Sequence, residues 1–433
     1  MTVMIEPGLL AGAVTPPPSK SQAHRLLIAR ALAGENIDDP AHRADSQDIR
    51  ATRDCLKSLR EGEGELPVLE CGESGSTLRF LIPVALALRG GGVFRGRGRL
   101  MDRPQEPYFR IFDGMGITHR REGDSLTVRG WLRPGEYPMP GDVSSQFVTG
   151  LLFALPLLEG ESIIRLTSPL ESRGYVDMTL QVLRDRGIRV EELPEGFRVP
   201  GGQQYGRGTL GEEADYSQAA FWLAAAGLGS PLTVEGLDPD STQGDRCVVP
   251  YFQQLAGPGR VELDIAQCPD LAPALAVRAA LRPGQTARLV NAGRLRLKEC
   301  DRLAAIPEEL NKLGGQLTEG TDFLEIRGVE RLLGGVADSH NDHRIAMMLA
   351  VAATRAEGTV TIRGAESVAK SYPDFWEVYE SLGGRVLRQR GACGAGAGPG
   401  AGVRRDGPPG PGGKSPVHRP EGGGCAGDPL RPV

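Results

Sequence analysis

Six polar loops, each running directly into an Ala- and Leu-rich stretch, recur along this chain in a two-fold register. They are SKSQAHRLLIARAL at Lys20, ESGSTLRFLIPVALAL at Ser74, DVSSQFVTGLLFAL at Ser144, ADYSQAAFWLAAA at Ser217, CPDLAPALAVRAAL at Asp270 and NDHRIAMMLAVAA at Asp342. Successive anchors are 54, 70, 73, 53 and 72 residues apart, so matching anchors are offset by 197, 196 and 198 residues. Singly, each junction is an ordinary helix N-cap. Together they describe a duplicated domain, each copy built from three smaller pieces. Strand-like stretches lie between them, among them Ser125–Arg129, Ser162–Thr167, Ile188–Glu192 and Thr359–Arg363. Strands alternating with helices predict an α/β fold.

The junctions carry a chemical expectation. A helix N-terminus offers unpaired N–H groups and the positive end of the macrodipole. Several N-termini facing one cleft make it selective for anions although the chain carries a net charge of −5. One exposed N-terminus contributes only about 0.3–1 kcal/mol, so tight binding needs fixed cations too. They stand at or near the junctions: Lys20, Arg25, Arg79, Lys298, Arg302, Arg344 and Lys370. Only six of the 50 basic residues are lysines, and three of those six belong to this set. Acid–base candidates sit beside them: Asp270 after Cys268-Pro269, and Glu299 and Asp301 between Lys298 and Arg302.

Several classes are disfavoured. The charge balance lacks the basic excess of a nucleic-acid binder. No apolar run approaches 18 residues, and Met1–Gly12 lacks the pattern of a signal peptide, so no membrane association is expected. The seven cysteines form no C-x-x-C pair, which fits reduced thiols in a cytoplasm better than disulfides or structural zinc. From Gly391 onward Gly, Pro and Arg dominate, and 391–433 is expected to be disordered and outside the fold.

The stretches PPPSKSQAHR, GESGSTLRF, RLMDRP, GDVSSQF, SRGYVDMT, CPDLAP, LKECDR, NDHR and AKSYPD resemble the signature segments of the EPSP synthases, in the same order, over residues 16 to 374. The resemblance implies an inside-out α/β barrel in two domains, each of three βαβαββ repeats, joined by two crossover strands near Pro18–Lys20 and near Glu213. The first lobe would be 19–213 and the second, discontinuous, 1–18 with 214–390. It implies transfer of the enolpyruvyl group of phosphoenolpyruvate to the 5-hydroxyl of shikimate 3-phosphate, by addition and elimination through a tetrahedral intermediate. It further implies a cytoplasmic monomer with neither metal nor organic cofactor. Carried over motif by motif, Lys20, Ser21, Arg25, Ser144, Ser145, Gln146, Ser172, Tyr175, Asp270 and Lys298 would hold shikimate 3-phosphate. Lys20, Gly75, Arg103, Gln146, Arg302, Arg344 and Lys370 would hold phosphoenolpyruvate. Asp270 would accept the hydroxyl proton, Glu299 would protonate the methylene carbon, and Lys20 and Lys298 would bridge the two substrates. Two positions depart from the family pattern: Glu73-Ser74 where many members have Asn-Ala, and Arg294 where some have Asn.

Four alternatives are weighed. UDP-N-acetylglucosamine enolpyruvyl transferase shares the fold but typically begins its first motif A-K-N and carries a reactive cysteine five residues before the arginine matching Arg103. That position is Gly98, and no cysteine lies between Cys71 and Cys247. Gly206, Gly208 and Gly211 match G-x-G-x-x-G in spacing, without a clear strand before them. Asp338, His340, Asp342 and His343 could be imagined as metal ligands, but H-x-x-H at a loop–helix junction reads better as a cap with an anion-binding pair. An inactive anion-binding homologue would lack the acid–base set that Asp270, Glu299, Lys20 and Lys298 supply here.

Overall fold

The structure, a computed structural model, describes residues 1–38, 45–61 and 66–389; the tail expected to be disordered, 391–433, lies outside them. Met1–Gly391 forms one compact unit containing two hydrophobic cores. One gathers side chains from Ala23 to Tyr205. The other gathers Val3–Val14 together with Tyr216–Leu382.

Four four-stranded sheets cover these cores among the described residues. Three share one pattern. Val68–Gly72 and Gly91–Gly96 pair in parallel, and Gly91–Gly96 then pairs antiparallel with Ser125–Arg129, which carries Thr118–Glu122 at the edge. The same order repeats over residues 136–199 and 259–327. In the fourth sheet the N-terminal strand Thr2–Glu6 takes the inner place, between Val360–Arg363 and Arg385–Gln389. The remaining repeats are reduced to a two-stranded parallel sheet of Gly12–Val14 with Leu232–Val234. Pro16, Pro17 and Pro18 have no N–H to give a sheet interior, and residues 201–213 are glycine-rich, so neither neighbouring segment completes a ladder.

The arrangement is inside out because of where the apolar residues are. His343–Ala353 is buried at every one of its positions, Ser145–Ala154 at nine of ten and Tyr216–Gly227 at nine of twelve. A helix apolar all round belongs in a core. The strands alternate instead: Ser125–Arg129 and Phe323–Arg327 each bury every second residue and turn the others outward.

Five of the six junction helices are capped by a side chain. Ser19, Ser74, Ser144, Asp215 and Asp342 accept from the backbone N–H groups of Gln22, Thr77, Gln146, Ser217 and Arg344, at 3.4, 3.2, 3.3, 2.7 and 2.9 Å. At the fourth junction the cap is therefore Asp215, two residues before the Ser217 anchor. At the fifth, Pro269–Leu271 forms a 3₁₀ turn and the α-helix begins at Ala272. Asp270 caps nothing, which leaves its carboxylate free for the cleft.

Three of the expected strands form within a residue of their predicted limits. The fourth starts at Glu191, not Ile188. Ile188 N–H instead reaches back to the Leu183 carbonyl at 2.9 Å, and Gly187 sits at φ +76°, so these residues close the preceding helix in a Schellman turn.

The chain passes between the two cores twice, and the passages lie side by side. Ser19 N–H donates to the Glu213 carbonyl at 2.7 Å and Asp215 N–H to the Pro17 carbonyl at 2.9 Å. Lys20 N–H adds a bond to the Asp215 carboxylate at 3.0 Å. The first and fourth junction helices are thereby tied together at their N-termini.

Candidate active site

One cleft is lined from both cores. Lys20, Ser21, Arg25, Gly75, Arg103, Ser144, Ser145, Gln146, Ser172 and Tyr175 come from one side, and Asp270, Lys298, Glu299 and Arg344 from the other. Of the residues expected at the site, Arg302 and Lys370 do not form its wall. Arg302 lies directly behind it, and Lys370 is paired with Glu73, two residues before the Gly75 of the wall.

Arg302 organises the acidic groups. Its side chain is 1% exposed. Nε and Nη2 bond the Asp342 carboxylate at 2.7 and 3.2 Å, Nη1 bonds Asp270 at 2.9 Å, and Nη2 also bonds Glu299 at 2.7 Å. Asp270 meets two further cations, Lys298 at 3.0 Å and Arg344 at 3.2 Å. Burial works against its charge, but Lys298, Arg344 and Arg302 outweigh burial and hold its carboxyl well below the usual range. Glu299 behaves alike: burial opposes ionisation, and Arg302 and Arg103 overcome it. Both are carboxylates at neutral pH in this geometry. Burial lowers Lys298, and the Asp270 charge partly restores it.

The opposite wall is a set of donors fixed by their neighbours. Arg25 bonds Thr179 Oγ1 at 2.8 Å and the carbonyls of Ser21 and Tyr175 at 2.5 and 2.8 Å. Gln146 accepts from Arg79 at 2.8 Å and donates to Ser76 Oγ at 3.0 Å. Gly75 leaves room for Arg103: a Cβ on it would stand 2.5 Å from Arg103 Nη1 and displace that guanidinium. Burial, and after it Arg103, brings Arg79 down to about 9, still a cation at neutral pH. Ser172 sits in the left-handed region at φ +56° and accepts from Arg294 at 3.0 Å. Arg294 also pairs with Glu171 at 2.5 Å, so this departure from the family pattern joins the two walls.

Asp48 lines the cleft and Asp245 stands behind Tyr175, and no motif, spacing or composition marks either of them. Asp48 pairs with Lys20 Nζ at 2.8 Å. Asp245, 2% exposed, accepts from Tyr175 OH at 3.0 Å and from Ser217 Oγ. Burial, and after it the Asp270 charge, pushes Asp245 up to about 6.

The metal and dinucleotide readings find no support. Asp342 is spent on Arg302 and its helix, Asp338 accepts from His340 N–H at 2.7 Å, and His343 is buried beside the cleft. Burial, then Lys20 and Arg344, hold His343 well below its usual pKa. Among the described residues, the one group with ligand spacing is Glu308, Glu309 and His340, and Lys312 Nζ already bonds both glutamates at 2.9 and 2.7 Å. Gly206, Gly208 and Gly211 lie in coil that opens no helix. No helix among the described residues is long and apolar enough to cross a membrane.

Fold and site together define a class: a two-domain inside-out α/β enzyme with a cation-lined cleft for anionic substrates. Comparison with known proteins narrows it. The family model for EPSP synthase (3-phosphoshikimate 1-carboxyvinyltransferase) matches residues 5–262 and 253–379. The chain is 43% identical over 418 residues to a 3-phosphoshikimate 1-carboxyvinyltransferase of Clostridium kluyveri, covering 89% of this chain and 98% of the relative. It is 42% identical over 424 residues to the enzyme of that name from Clostridium acetobutylicum, with the same coverage. A solved EPSP synthase from Acinetobacter baumannii superposes with a TM-score of 0.69 at 24% identity, over 89% of this chain and 100% of that one, which bears on the fold. The chain belongs to the EPSP synthase family.

Asp245 supplies a pH-dependent prediction. Its proton is held more tightly in the folded chain, at about 6, than at the ordinary 3.8. Well below pH 4 both forms are protonated; as pH rises toward 6 the unfolded chain ionises first, so this group costs stability, up to about 3 kcal/mol. Asp245→Asn is expected to gain stability relative to the unsubstituted chain as pH rises from 4 to 7. Urea unfolding of both chains across that range measures the difference; a constant difference contradicts the assignment.

Proposed function

We propose that this chain transfers the enolpyruvyl group of phosphoenolpyruvate to the 5-hydroxyl of shikimate 3-phosphate, releasing phosphate, through a tetrahedral addition intermediate. The carrying observation is the Asp270 carboxylate held against Lys298 in a cleft walled on the other side by Lys20, Ser21 and Arg25. Family membership and the names of relatives over 40% identical support the choice of substrates.

In this reading Ser21, Arg25, Ser144, Ser145, Gln146, Ser172 and Tyr175 hold shikimate 3-phosphate. Arg25 is preorganised by three protein bonds, so little rotamer entropy is lost when a phosphate engages it. Arg103 and Arg344, with the Gly75 backbone and Gln146, hold phosphoenolpyruvate at the wall, Arg302 adds its charge from directly behind and Lys370 from beside Glu73, and Lys20 and Lys298 stand between the substrates. Asp270, ionised at neutral pH, accepts the hydroxyl proton as the oxygen attacks C2 of the enol. Glu299 delivers a proton to the methylene carbon.

That second role needs Glu299 protonated, whereas Arg302 and Arg103 favour its anion. Phosphoenolpyruvate resolves the tension. Its carboxylate and phosphate compete for Arg103, which lines the cleft, and bring negative charge next to Glu299. Both effects raise the glutamate's affinity for a proton, so acid formation is coupled to substrate binding. Confining both substrates in one cleft supplies further acceleration, up to roughly 7–11 kcal/mol in ideal cases.

The lobes of this reading are 19–213, and 1–18 with 214–390. In this reading the protein works as a monomer, in a cytoplasm that is in keeping with the five unpaired thiols among the described residues.

Phosphate release is the direct test. Phosphoenolpyruvate with shikimate 3-phosphate is expected to give phosphate stoichiometric with enolpyruvyl product; release with UDP-N-acetylglucosamine instead overturns the reading. For the acid–base pair, Asp270→Ala and Glu299→Gln are each expected to lower kcat by about 100-fold or more while changing substrate affinity far less. Weakened binding with near-normal turnover would remove both residues from the chemistry.

A further inference from the structure

Glu73 stands in the GESGST segment just ahead of the Ser74 cap, beside the core of residues 23–205, and its closest partners all belong to the other core. Its Oε2 bonds Lys370 Nζ at 2.7 Å. Both carboxylate oxygens accept from Asn341 Nδ2, at 3.1 and 2.9 Å. Lys370 Nζ in turn donates to the Asn341 carbonyl at 2.5 Å, closing a triangle. The Lys370 side chain is only 6% exposed.

The surroundings are shaped to this contact. The carboxylate lies over Gly98, where a Cβ would come within 2.7 Å of Oε2, and Gly98 sits at φ +57°. On the far side His340 and Asn341 are both left-handed, at φ +52° and +55°, a conformation non-glycine residues rarely adopt in succession. The next residue, Asp342, caps the helix bearing Arg344 and holds Arg302. Glu73 therefore grips the loop that sets Arg302 and Arg344, as well as Lys370 itself. An ammonium has three N–H donors; Glu73 and the Asn341 carbonyl take two and fix the direction of the third.

We propose that Glu73 is a positioning residue for phosphoenolpyruvate, acting from across the cleft by orienting the Lys370 ammonium and anchoring the Asn341 side chain. This rests on the enolpyruvyl-transfer reading for the identity of the ligand. A neutral residue at position 73 could accept a hydrogen bond from Asn341 but would not balance the buried ammonium, so the Glu at this departure from the common family pattern and Lys370 operate as a pair.

The test is steady-state kinetics of Glu73→Ala and Glu73→Gln with each substrate varied in turn. For Glu73→Ala, KM for phosphoenolpyruvate is expected to rise about tenfold or more, as for loss of a charge-assisted bond, with kcat within about threefold and KM for shikimate 3-phosphate within about twofold. Glu73→Gln, which can still bond Asn341, is expected to recover part of that loss. A KM for phosphoenolpyruvate that is unchanged or lower, or a parallel rise in both KM values, overturns the proposal. The unsubstituted chain separates the two levels: if it shows no transfer, the functional reading fails. The Glu73–Lys370 pairing is then judged by the unfolding midpoints of Glu73→Ala, Lys370→Ala and the double variant. Non-additive shifts uphold it, and additive shifts refute it.

Discussion

Everything at the cleft depends on one buried guanidinium. Arg302 satisfies three carboxylates at once, two of which, Asp270 and Glu299, project to the wall where chemistry is proposed, while the third, Asp342, caps a junction helix. A buried cation so placed is stable only if its counter-charges stay in position, because desolvation of an unpaired charge costs several kcal/mol. The same bonds therefore fix the acid–base groups and register the helix that carries Arg344. Lysine could not do this: its single ammonium has no planar fork to span three acceptors held in fixed directions.

The fold explains how an acidic chain presents an anion-binding cleft. Apolar helices fill the two cores and sheets face outward, so helix N-termini emerge where the cores meet. Lys20 and Asp215 illustrate the economy of this layout: the two crossover segments bond to each other, and the cap of one helix also receives the first N–H of the other. Cations then need only be local. Lys20, Arg25, Arg103, Lys298 and Arg344 line the cleft while the surface elsewhere carries the compensating acid.

Much of this was legible in the sequence because the duplicated register, with offsets near 197 residues, constrains fold and cleft together. Helix starts were readable from Ser74, Ser144 and Asp342, whose side chains compete for the first N–H groups wherever they stand before an apolar stretch, whereas the first junction was anchored at Lys20, one residue after its cap Ser19. Asp270 was readable as a residue but not as a geometry: the prolines at 269 and 273 impose the 3₁₀ turn that frees its carboxylate. Arg302 and Lys370 were readable as cations, yet their placement, one behind the wall and the other against Glu73, is set by partners 40 and 297 residues away. Asp48 and Asp245 were not legible, because a lone aspartate acquires meaning only from the Lys20 or Tyr175 that tertiary structure brings to it.

The Arg302 fork, rather than positive charge alone, assembles the site. In Arg302→Lys the charge is kept and the fork is lost, so its phosphate-release turnover separates the two. A fall of about 100-fold or more is expected, the scale that follows when reacting groups are misplaced by roughly 1 Å. Turnover within threefold of the unsubstituted chain would mean that charge alone suffices.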